Sequence, residues 1–243
     1  MKKRLDQVLT EKGFFESRTR SQAAIMAGQI LVNEQKIDKA GTLIDEDSNI
    51  RILGEKLKYV SRGGLKLEKA LDEFKIDPSG MVCLDIGAST GGFTDCLLQR
   101  GAEKVYAIDV GYGQLDLKIR NNPKVVVIEK TNARYLRPAD IPDKAALAVI
   151  DVSFISLSKI LPAIFDLLSD NGQVAALVKP QFEAGKDQVG KGGIVRDEST
   201  RQEVLSKVIK EAENIGFTFI ASCDSPISGA DGNKEFLVHL RKK

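Results

Sequence analysis

A glycine-rich segment at residues 85–93, DIGASTGGF, directly follows the apolar run MVCL at residues 81–84. An apolar strand that leads into such a turn is typical of a nucleotide-like ligand site, because glycine has no Cβ to hold backbone and ligand apart. We therefore predict a cofactor site in this turn. Its predicted members are Asp85, Gly87, Ala88, Ser89, Gly91, Gly92 and Phe93.

Two details of this turn narrow the choice of ligand. The glycine spacing is G-x-x-x-G-G, which differs from the G-x-G-x-x-G of dinucleotide-binding folds. The Asp85 carboxylate would repel a pyrophosphate but suits a cation, and S-adenosylmethionine (SAM) carries an ammonium and a sulfonium group. The segment favours SAM as the cofactor. The alternative is an ordinary turn with incidental glycines.

Further polar residues fall at or just after the ends of the next predicted strands. They are Asp109, Asn132, Asp151 and Lys179. Open α/β sheets bind ligands at the carboxyl ends of their strands, so we expect these residues to share one edge with the glycine-rich turn. Asp109 could accept both ribose hydroxyls of the cofactor, and Asn132 could read its adenine edge. Taken singly, each is more often a turn or capping residue.

From residue 81 onward, apolar strand patterns alternate with helical patterns. Seven strands are predicted in MVCLDI, KVYAIDV, KVVVIE, ALAVIDV, QVAALVK, FTFIAS and KEFLVHL, with helices over residues 93–100, 157–168 and 197–215. This alternation predicts a seven-stranded, doubly wound (Rossmann-like) α/β domain over residues 61–243. If the last strand is antiparallel to the rest, Glu235 at its start lies at the ligand edge.

The first 60 residues predict a separate, small α+β domain. Its elements are a short helix near Leu9, a second helix over residues 19–27 capped by Thr19 or Ser17, a hairpin in QILVNEQKI and a short strand in SNIRIL. Residues 54–64 are predicted to link the two domains. The helix that follows carries an apolar stripe, with Lys66 beside it near the helix start.

Basic side chains at the start of the second helix and around it form a candidate phosphate-contacting face. The predicted RNA contacts are Lys3, Arg4, Arg18, Arg20, Gln22, Lys36 and Arg62, with Lys186 and Lys191 in the glycine-rich loop at residues 181–195. The alternative for these charges is a solvated surface. The loop is equally compatible with a lid, an RNA contact or a disordered segment.

Several of these segments, in this order along the chain, resemble those of a known protein family. SRTRSQAAIMAGQILVNEQKI resembles an S4-like RNA-binding domain, while SRGGLKLEKAL, DIGASTGGF, VIDVSF, LVKPQFE and NKEFLVHL resemble the FtsJ-like ribose methyltransferases. Together they resemble the TlyA, or hemolysin A-like, family from Lys3 to Arg241. The resemblance implies SAM and a 2′-hydroxyl of ribosomal RNA as reactants. It also implies a catalytic tetrad at Lys66, Asp151, Lys179 and Glu235.

The implied chemistry leaves two roles open for Lys179. A ribose hydroxyl is a poor nucleophile, and a deprotonated Lys179 could take its proton as general base, helped by like-charge repulsion from Lys66. Alternatively, Lys179 stays charged and only positions the hydroxyl. Asp151 and Glu235 orient both ammonium groups in either case. Tyr59 replaces an apolar residue usual in the family, which leaves the coupling of the two domains open.

Composition limits the other possibilities. The net charge is only +2, so RNA binding would depend on local clusters of charge. The three cysteines suggest buried, reduced thiols, and the single histidine gives little support to a histidine triad or zinc site, so no metal is expected. The charged N-terminus and the short apolar runs predict neither a signal peptide nor a membrane span. We expect a cytoplasmic protein of unknown oligomeric state.

Three further functions compete with an rRNA (ribose-2′-O) methyltransferase. One is a non-catalytic RNA-binding or ribosome-assembly factor that keeps the SAM fold. Another is the cytolysin that the family name suggests, which the absence of a spanning segment opposes. A NAD-dependent enzyme is a weaker option because of the glycine spacing.

Overall fold

The structure is a computed structural model, which describes residues 2–53, 58–229 and 232–243. The chain divides into two compact units, Met1–Lys56 and Leu57–Lys243.

The first unit is a small α+β fold. It contains β1 (Lys2–Arg4), α1 (Leu5–Glu11), α2 (Arg18–Met26), β2 (Ile30–Val32), β3 (Gln35–Ile37), β4 (Leu43–Asp45) and β5 (Ile50–Ile52). β1 pairs with β4, and β2 lies between β3 and β5 in a second antiparallel sheet. The buried core is formed by Leu5, Val8, Leu9, Ala24, Ile25, Ile30, Val32 and Ile44. The predicted two helices and hairpin are present.

The second unit alternates strands and helices along most of its length. Its elements are α3 (Gly63–Phe74), β6 (Val82–Ile86), α4 (Gly92–Gln99), β7 (Lys104–Ile108), α5 (Leu117–Arg120), β8 (Val125–Ile128), β9 (Ala145–Ile150), α6 (Leu161–Leu167), β10 (Leu168–Val178), α7 (Pro180–Glu183), α8 (Glu198–Ile215), β11 (Phe217–Asp224) and β12 (Phe236–Lys242). Short 3₁₀ turns occur at Ala133–Tyr135, Leu157–Lys159 and Lys186–Gln188.

The seven strands of this unit form one sheet in the order β11-β12-β10-β9-β6-β7-β8. Strands β6 to β10 are parallel, whereas β12 runs antiparallel to both of its neighbours. The strand order reverses direction between β6 and β9, which is where open α/β sheets bind their ligands. Because β12 is reversed, its first residue, Phe236, pairs with Val178 at the end of β10.

Alternating residues of each strand enter two separate cores, as the pleat of a strand requires. In β9, Leu147 and Val149 face α3 and α4, whereas Ala148 and Ile150 face α6 and α8. Helices therefore cover both faces of the sheet, which explains why its strands are continuous apolar runs. The predicted doubly wound α/β fold is confirmed.

Two local predictions were wrong, the single helix over residues 157–168 and the length of the linker, whereas Ser17, one of the two predicted caps of the second helix, is confirmed. The second helix begins at Arg18, and its N-cap is Ser17, whose hydroxyl accepts from the Arg20 amide at 3.3 Å; Thr19 lies within the helix. The predicted single helix over residues 157–168 is a 3₁₀ turn followed by α6, in whose first turn Pro162 lies. Pro162 lacks an N–H and fits only the start of a helix, so it separates the two.

The predicted linker is also shorter than expected. Its residues 54–57 lie outside the described residues. Tyr59 is only 3% exposed and packs in the core beside α3 and α4, and α3 already begins at Gly63. The Val60 amide donates to the Asp95 carboxylate at 2.8 Å, which anchors this segment to α4.

Gly92 allows the starts of α3 and α4 to meet. A Cβ on Gly92 would lie 2.2 Å from Ser61 Oγ and 2.9 Å from the backbone nitrogen of Gly64. A Cβ on nearby Gly63 would meet nothing closer than 3.4 Å. The packing of the two helix starts therefore requires a glycine at position 92 but not at position 63.

We predict that Gly92→Ala lowers the free energy of unfolding by about 1–3 kcal/mol, because backbone must move to admit the methyl group. Gly63→Ala is the control, and we expect it to change the stability by less than about 0.5 kcal/mol. Urea denaturation of both variants measures the difference. Equal stabilities would contradict the close packing of the two helix starts.

Candidate active site

The glycine-rich turn joins the end of β6 to the start of α4. Gly87 and Gly91 have φ angles of +85° and +93°, a region that favours glycine. A Cβ on Gly87 would also lie 2.3 Å from the carbonyl oxygen of Asp151, so the turn lies directly against the loop that follows β9. Gly87 is therefore needed to bring the ends of β6 and β9 together.

A cavity of about 370 Å³ opens beside this turn. The turn contributes Gly87, Ala88, Ser89, Thr90, Gly92 and Phe93, and other parts of the second unit contribute Ser61, Arg62, Gly63, Lys66, Asp151, Ile227, Ser228 and Gly229. The cavity thus combines backbone of the glycine-rich turn with two charged residues of the predicted tetrad, Lys66 and Asp151.

The first pair of tetrad residues is a buried ion pair between Lys66 and Glu235. The Lys66 ammonium donates to Glu235 Oε2 at 2.6 Å, and the two side chains are 12% and 2% exposed. Lys66 lies in the first turns of α3, and Glu235 directly precedes β12. The antiparallel direction of β12 therefore places this carboxylate at the ligand edge of the sheet, as the sequence predicted.

The second pair is formed by Lys179, which follows β10, and Asp151, which follows β9. Lys179 Nζ lies 2.6 Å from Asp151 Oδ1 and donates a hydrogen bond to Ser153 Oγ at 2.9 Å. The contact with Asp151 is an ion pair without a well-directed hydrogen bond, because Asp151 Oδ1 is buried and lacks a hydrogen-bond partner among the described residues. The structure thus links all four tetrad residues to one cavity.

Asp85 lies deeper than the sequence suggested. It is the fourth residue of β6, its side chain is fully buried, and it is not among the residues that line the cavity. Thr94 Oγ1 donates to its Oδ2 at 2.6 Å, whereas its Oδ1 has no hydrogen-bond partner among the described residues. Burial raises the pKa of this carboxyl to about 7.

Asp109 and Asn132 have local roles in addition to any contact with a cofactor. Both Asp109 oxygens accept backbone N–H groups, from Ser89 at 2.8 Å and from Gly111 at 2.7 Å. The carboxylate therefore ties the glycine-rich turn to the loop after β7, and its remaining lone pairs can still accept hydroxyls. Asn132 Oδ1 caps the following 3₁₀ turn by accepting the Arg134 amide at 3.1 Å, and Asn132 does not line the cavity.

Sequence reasoning missed three residues that organise the loops after β9 and β10. Ser153 contacts Lys179, as described above. Phe154 is 90% exposed, has a φ of +64° and touches the ring of Phe182, with a distance of 4.9 Å between ring centroids. The buried Glu183 accepts the Leu157 amide at 2.7 Å. All three lie in the segments VIDVSF and LVKPQFE, which carry the family resemblance, but no local pattern indicates their individual roles.

Within residues 2–53, 58–229 and 232–243, no three or more His, Cys, Asp or Glu side chains are grouped so as to hold a metal ion. In the same ranges, no helix combines the length and apolar character needed to cross a bilayer.

Comparison with known proteins identifies the family. Residues 59–242 match the model of the FtsJ-like methyltransferases, and residues 3–50 match that of the S4 domain. The chain belongs to the FtsJ-like methyltransferase family. The predicted resemblance and the predicted enzyme class, a methyltransferase, are thereby confirmed.

Relatives of similar length support this assignment. YqxC of Bacillus subtilis is 51% identical over 240 residues, which cover 98% of this chain and 85% of that protein. TlyA of Mycobacterium tuberculosis, named a 16S/23S rRNA (cytidine-2′-O)-methyltransferase, is 42% identical over 98% of this chain and 89% of that protein. A solved structure from Streptococcus thermophilus is 49% identical, covers 100% of this chain and 89% of that chain, and has a TM-score of 0.79.

In the S4 domain, three of the predicted RNA-contacting side chains converge on one acid. Arg4, Arg18 and Gln22 all donate to the buried carboxylate of Asp6. No pattern in the sequence indicates this cluster.

The other predicted RNA-contacting residues of the S4 domain lie outside this cluster. Lys3 pairs with Glu11 at 3.0 Å and with Glu46, and Arg20 pairs with Glu16 at 3.2 Å. The exposed Lys36 packs its aliphatic end against Gly28.

Three predicted RNA contacts belong to the methyltransferase unit. Arg62 is exposed and lines the cavity beside Lys66. Lys191 is exposed in the loop after α7, whereas the side chain of Lys186 lies outside the described residues. The predicted long loop at residues 181–195 is partly ordered, since it contains the end of α7, a 3₁₀ turn and a bridge between Gly190 and Ile194.

We predict that the stability of an Asp85→Asn variant, relative to the unsubstituted protein, rises with pH. The folded protein holds a proton on Asp85 up to about pH 7, whereas the unfolded chain releases it near pH 4. The unsubstituted protein therefore loses stability as the pH rises through this window, and the variant does not.

The relative stability of Asp85→Asn should rise by about 2–3 kcal/mol between pH 5 and pH 8, as measured by urea denaturation without SAM. Burial lowers the pKa of His239 to about 4, but that residue is present in both proteins and its contribution cancels. A difference in stability that does not change with pH would show that Asp85 is ionised in the folded protein.

Proposed function

We propose that this protein is a SAM-dependent methyltransferase that methylates a ribose 2′-hydroxyl of ribosomal RNA. One observation carries the proposal. Two ion pairs, Lys66–Glu235 and Lys179–Asp151, lie at the ligand edge of the sheet, and each contributes a residue to the cavity beside the glycine-rich turn. Buried charges are costly unless they are paired, and a position at a ligand edge favours a role in binding or chemistry.

The residues around the cavity fit SAM as a cofactor. The Asp151 carboxylate lines the cavity, and the buried Asp85 Oδ1, in β6 before the turn, lacks a hydrogen-bond partner among the described residues. Such oxygens suit a cationic ligand, because nearby positive charge favours a buried carboxylate. Asp109, fixed by two backbone amides, would hold the ribose of the cofactor, and the backbone of residues 87–92 would contact the remainder.

The proposed reaction requires little of the protein beyond placing one oxygen atom and removing its proton. SAM, when bound, supplies a methyl group that its sulfonium makes electrophilic. Lys179 is held between Asp151 and Ser153, and an ammonium in that position donates a hydrogen bond to the ribose oxygen and stabilises it as the proton leaves. This geometry supports the positioning role of Lys179 over that of general base. Asp151, which lines the cavity and pairs with Lys179, could then take the proton.

Features outside the tetrad support RNA as the substrate. We propose that residues 1–60 form the RNA-recognition domain and that residues 61–243 form the catalytic domain, with Arg62 contacting RNA at the cavity. Phe154 follows Ser153, which Lys179 contacts, and presents an almost fully exposed ring; aromatic rings stack on nucleobases that are turned out of RNA structure. The TlyA relative is named for methylation of cytidine in 16S and 23S rRNA, so a cytidine is the target we propose.

The direct test uses labelled SAM and ribosomal subunits from cells that lack the gene for this protein. We expect the label on the 2′-oxygen of a ribose, where it blocks alkaline cleavage of the next phosphodiester. Label on a base would overturn the ribose assignment. Binding of subunits without any transfer would favour a non-catalytic assembly factor.

Substitution Lys179→Ala should lower the rate of methyl transfer about 10²- to 10³-fold, the usual cost of removing one donor that stabilises the reacting oxygen. SAM affinity, measured by calorimetry, should change little, because Lys179 does not line the cavity. Lys210→Ala, on the exposed face of α8, is the matched control and should keep full activity. Near-normal turnover in Lys179→Ala would refute the role.

Substitution Phe154→Ala should weaken RNA binding in the reacting complex by about 1–3 kcal/mol, the usual contribution of base stacking on an aromatic ring. We expect a higher KM for rRNA, or a lower kcat/KM, with unchanged SAM affinity. Phe154→Tyr keeps a ring in place and should retain most activity. If the alanine and tyrosine variants behave alike, the ring does not contact the substrate.

A further inference from the structure

Asp6 is a fully buried carboxylate in the first turn of α1, within the S4 domain. Four hydrogen bonds reach it from three side chains. Arg4 donates its Nε to Oδ1 at 3.0 Å and its Nη2 to Oδ2 at 3.1 Å. Arg18 Nη2 and Gln22 Nε2 donate to Oδ2 at 3.0 and 2.7 Å.

These contacts keep Asp6 charged although it is removed from water. The hydrogen bonds from Arg4, Gln22 and Arg18 lower the pKa of Asp6 far below its usual range and outweigh the effect of burial. A buried charge that lost its partners would be strongly destabilising, so the carboxylate and its donors hold one another in place.

The donors themselves remain accessible to a ligand. The side chains of Arg4 and Arg18 are 46% and 51% exposed. A guanidinium has five N–H donors in a rigid, planar fork, and the bonds to Asp6 use only part of them. The remaining N–H groups of both arginines therefore have a fixed direction and can bind phosphate oxygens in pairs.

We propose that Asp6 is a positioning residue for RNA recognition, which fixes Arg4, Arg18 and Gln22 as one rigid set of donors for the phosphate backbone of folded RNA. The inference rests on the proposed function. Free arginine side chains lose rotamer freedom on binding, and a set fixed in advance avoids that loss. Asp6 thus strengthens specific binding although its own charge is negative.

This account and a simple count of charges predict opposite results for Asp6→Asn. The substitution removes a negative charge from a surface that binds a polyanion, so long-range electrostatics alone would tighten binding. Loss of the fixed geometry should instead weaken binding of ribosomal subunits at least about 5-fold at near-physiological salt, with a shallower dependence of log K on log salt concentration.

The matched control is Glu34→Gln, which makes the same change of charge in the same domain. Glu34 is exposed and pairs with Arg51, which is not among the predicted RNA contacts. We expect Glu34→Gln to bind subunits as tightly as the unsubstituted protein or slightly more tightly. Filter binding at several salt concentrations measures all three proteins, with circular dichroism as a check of folding.

A second measurement needs no substitution. In a ¹⁵N NMR spectrum, the Nε–H group of Arg4 should give a slowly exchanging signal near neutral pH, because it donates to a buried carboxylate. If Asp6→Asn fails to fold, the Arg4 Nε–H signal of the unsubstituted protein tests the inference instead. Slow exchange of this proton supports a fixed guanidinium, and fast exchange overturns the inference.

The outcomes separate the two proposals. If the unsubstituted protein does not bind ribosomal subunits, the proposed function fails, and this inference fails with it. If the unsubstituted protein binds them and Asp6→Asn binds as tightly as Glu34→Gln, only the role of Asp6 is overturned. Weaker binding by folded Asp6→Asn, with Glu34→Gln unaffected, supports it.

Discussion

Burial of a charged side chain is costly unless the charge is paired with an opposite one. The methyltransferase unit depends on this constraint at one edge of its sheet. Lys66 and Lys179 are both about nine-tenths buried, and each lies 2.6 Å from a carboxylate. Neither lysine could remain an ammonium there alone at reasonable cost. The four residues come from α3 and from segments beside β9, β10 and β12, so the pairing also joins parts of the chain that are far apart in sequence.

The topology of the sheet makes this pairing possible. Parallel strands bring Asp151 and Lys179 to the same edge, and the reversed direction of β12 brings Glu235 there from the opposite end of a strand. Gly87 and Gly92 then allow the glycine-rich turn to lie against the Asp151 loop and the start of α3. Backbone contacts thus define the cavity, and in the proposed function the ion pairs supply its chemistry.

The sequence predicted those features that depend on local pattern or on strand direction. Continuous apolar runs indicated strands buried on both faces, and the residues after them indicated the ligand edge. The tetrad was different, since its membership was implied by resemblance, and no local pattern pairs Lys66 with a glutamate 169 positions away. Asp6 was missed for the same reason: its partners are defined by how α1, α2 and β1 pack. Asp85 was expected in the turn, but it is buried within β6, two positions before the turn begins at Gly87.

We propose that the two ion pairs act as one catalytic unit. A double-mutant cycle on methyl transfer tests this proposal most directly. Lys66→Ala, Lys179→Ala and the double variant are compared in single-turnover reactions with saturating SAM and ribosomal subunits. Residues that act as a unit give strongly non-additive losses, so the double variant should be no more than about 10-fold slower than the slower single variant. Rate losses that multiply in the double variant would show that the two lysines act independently and would contradict the account.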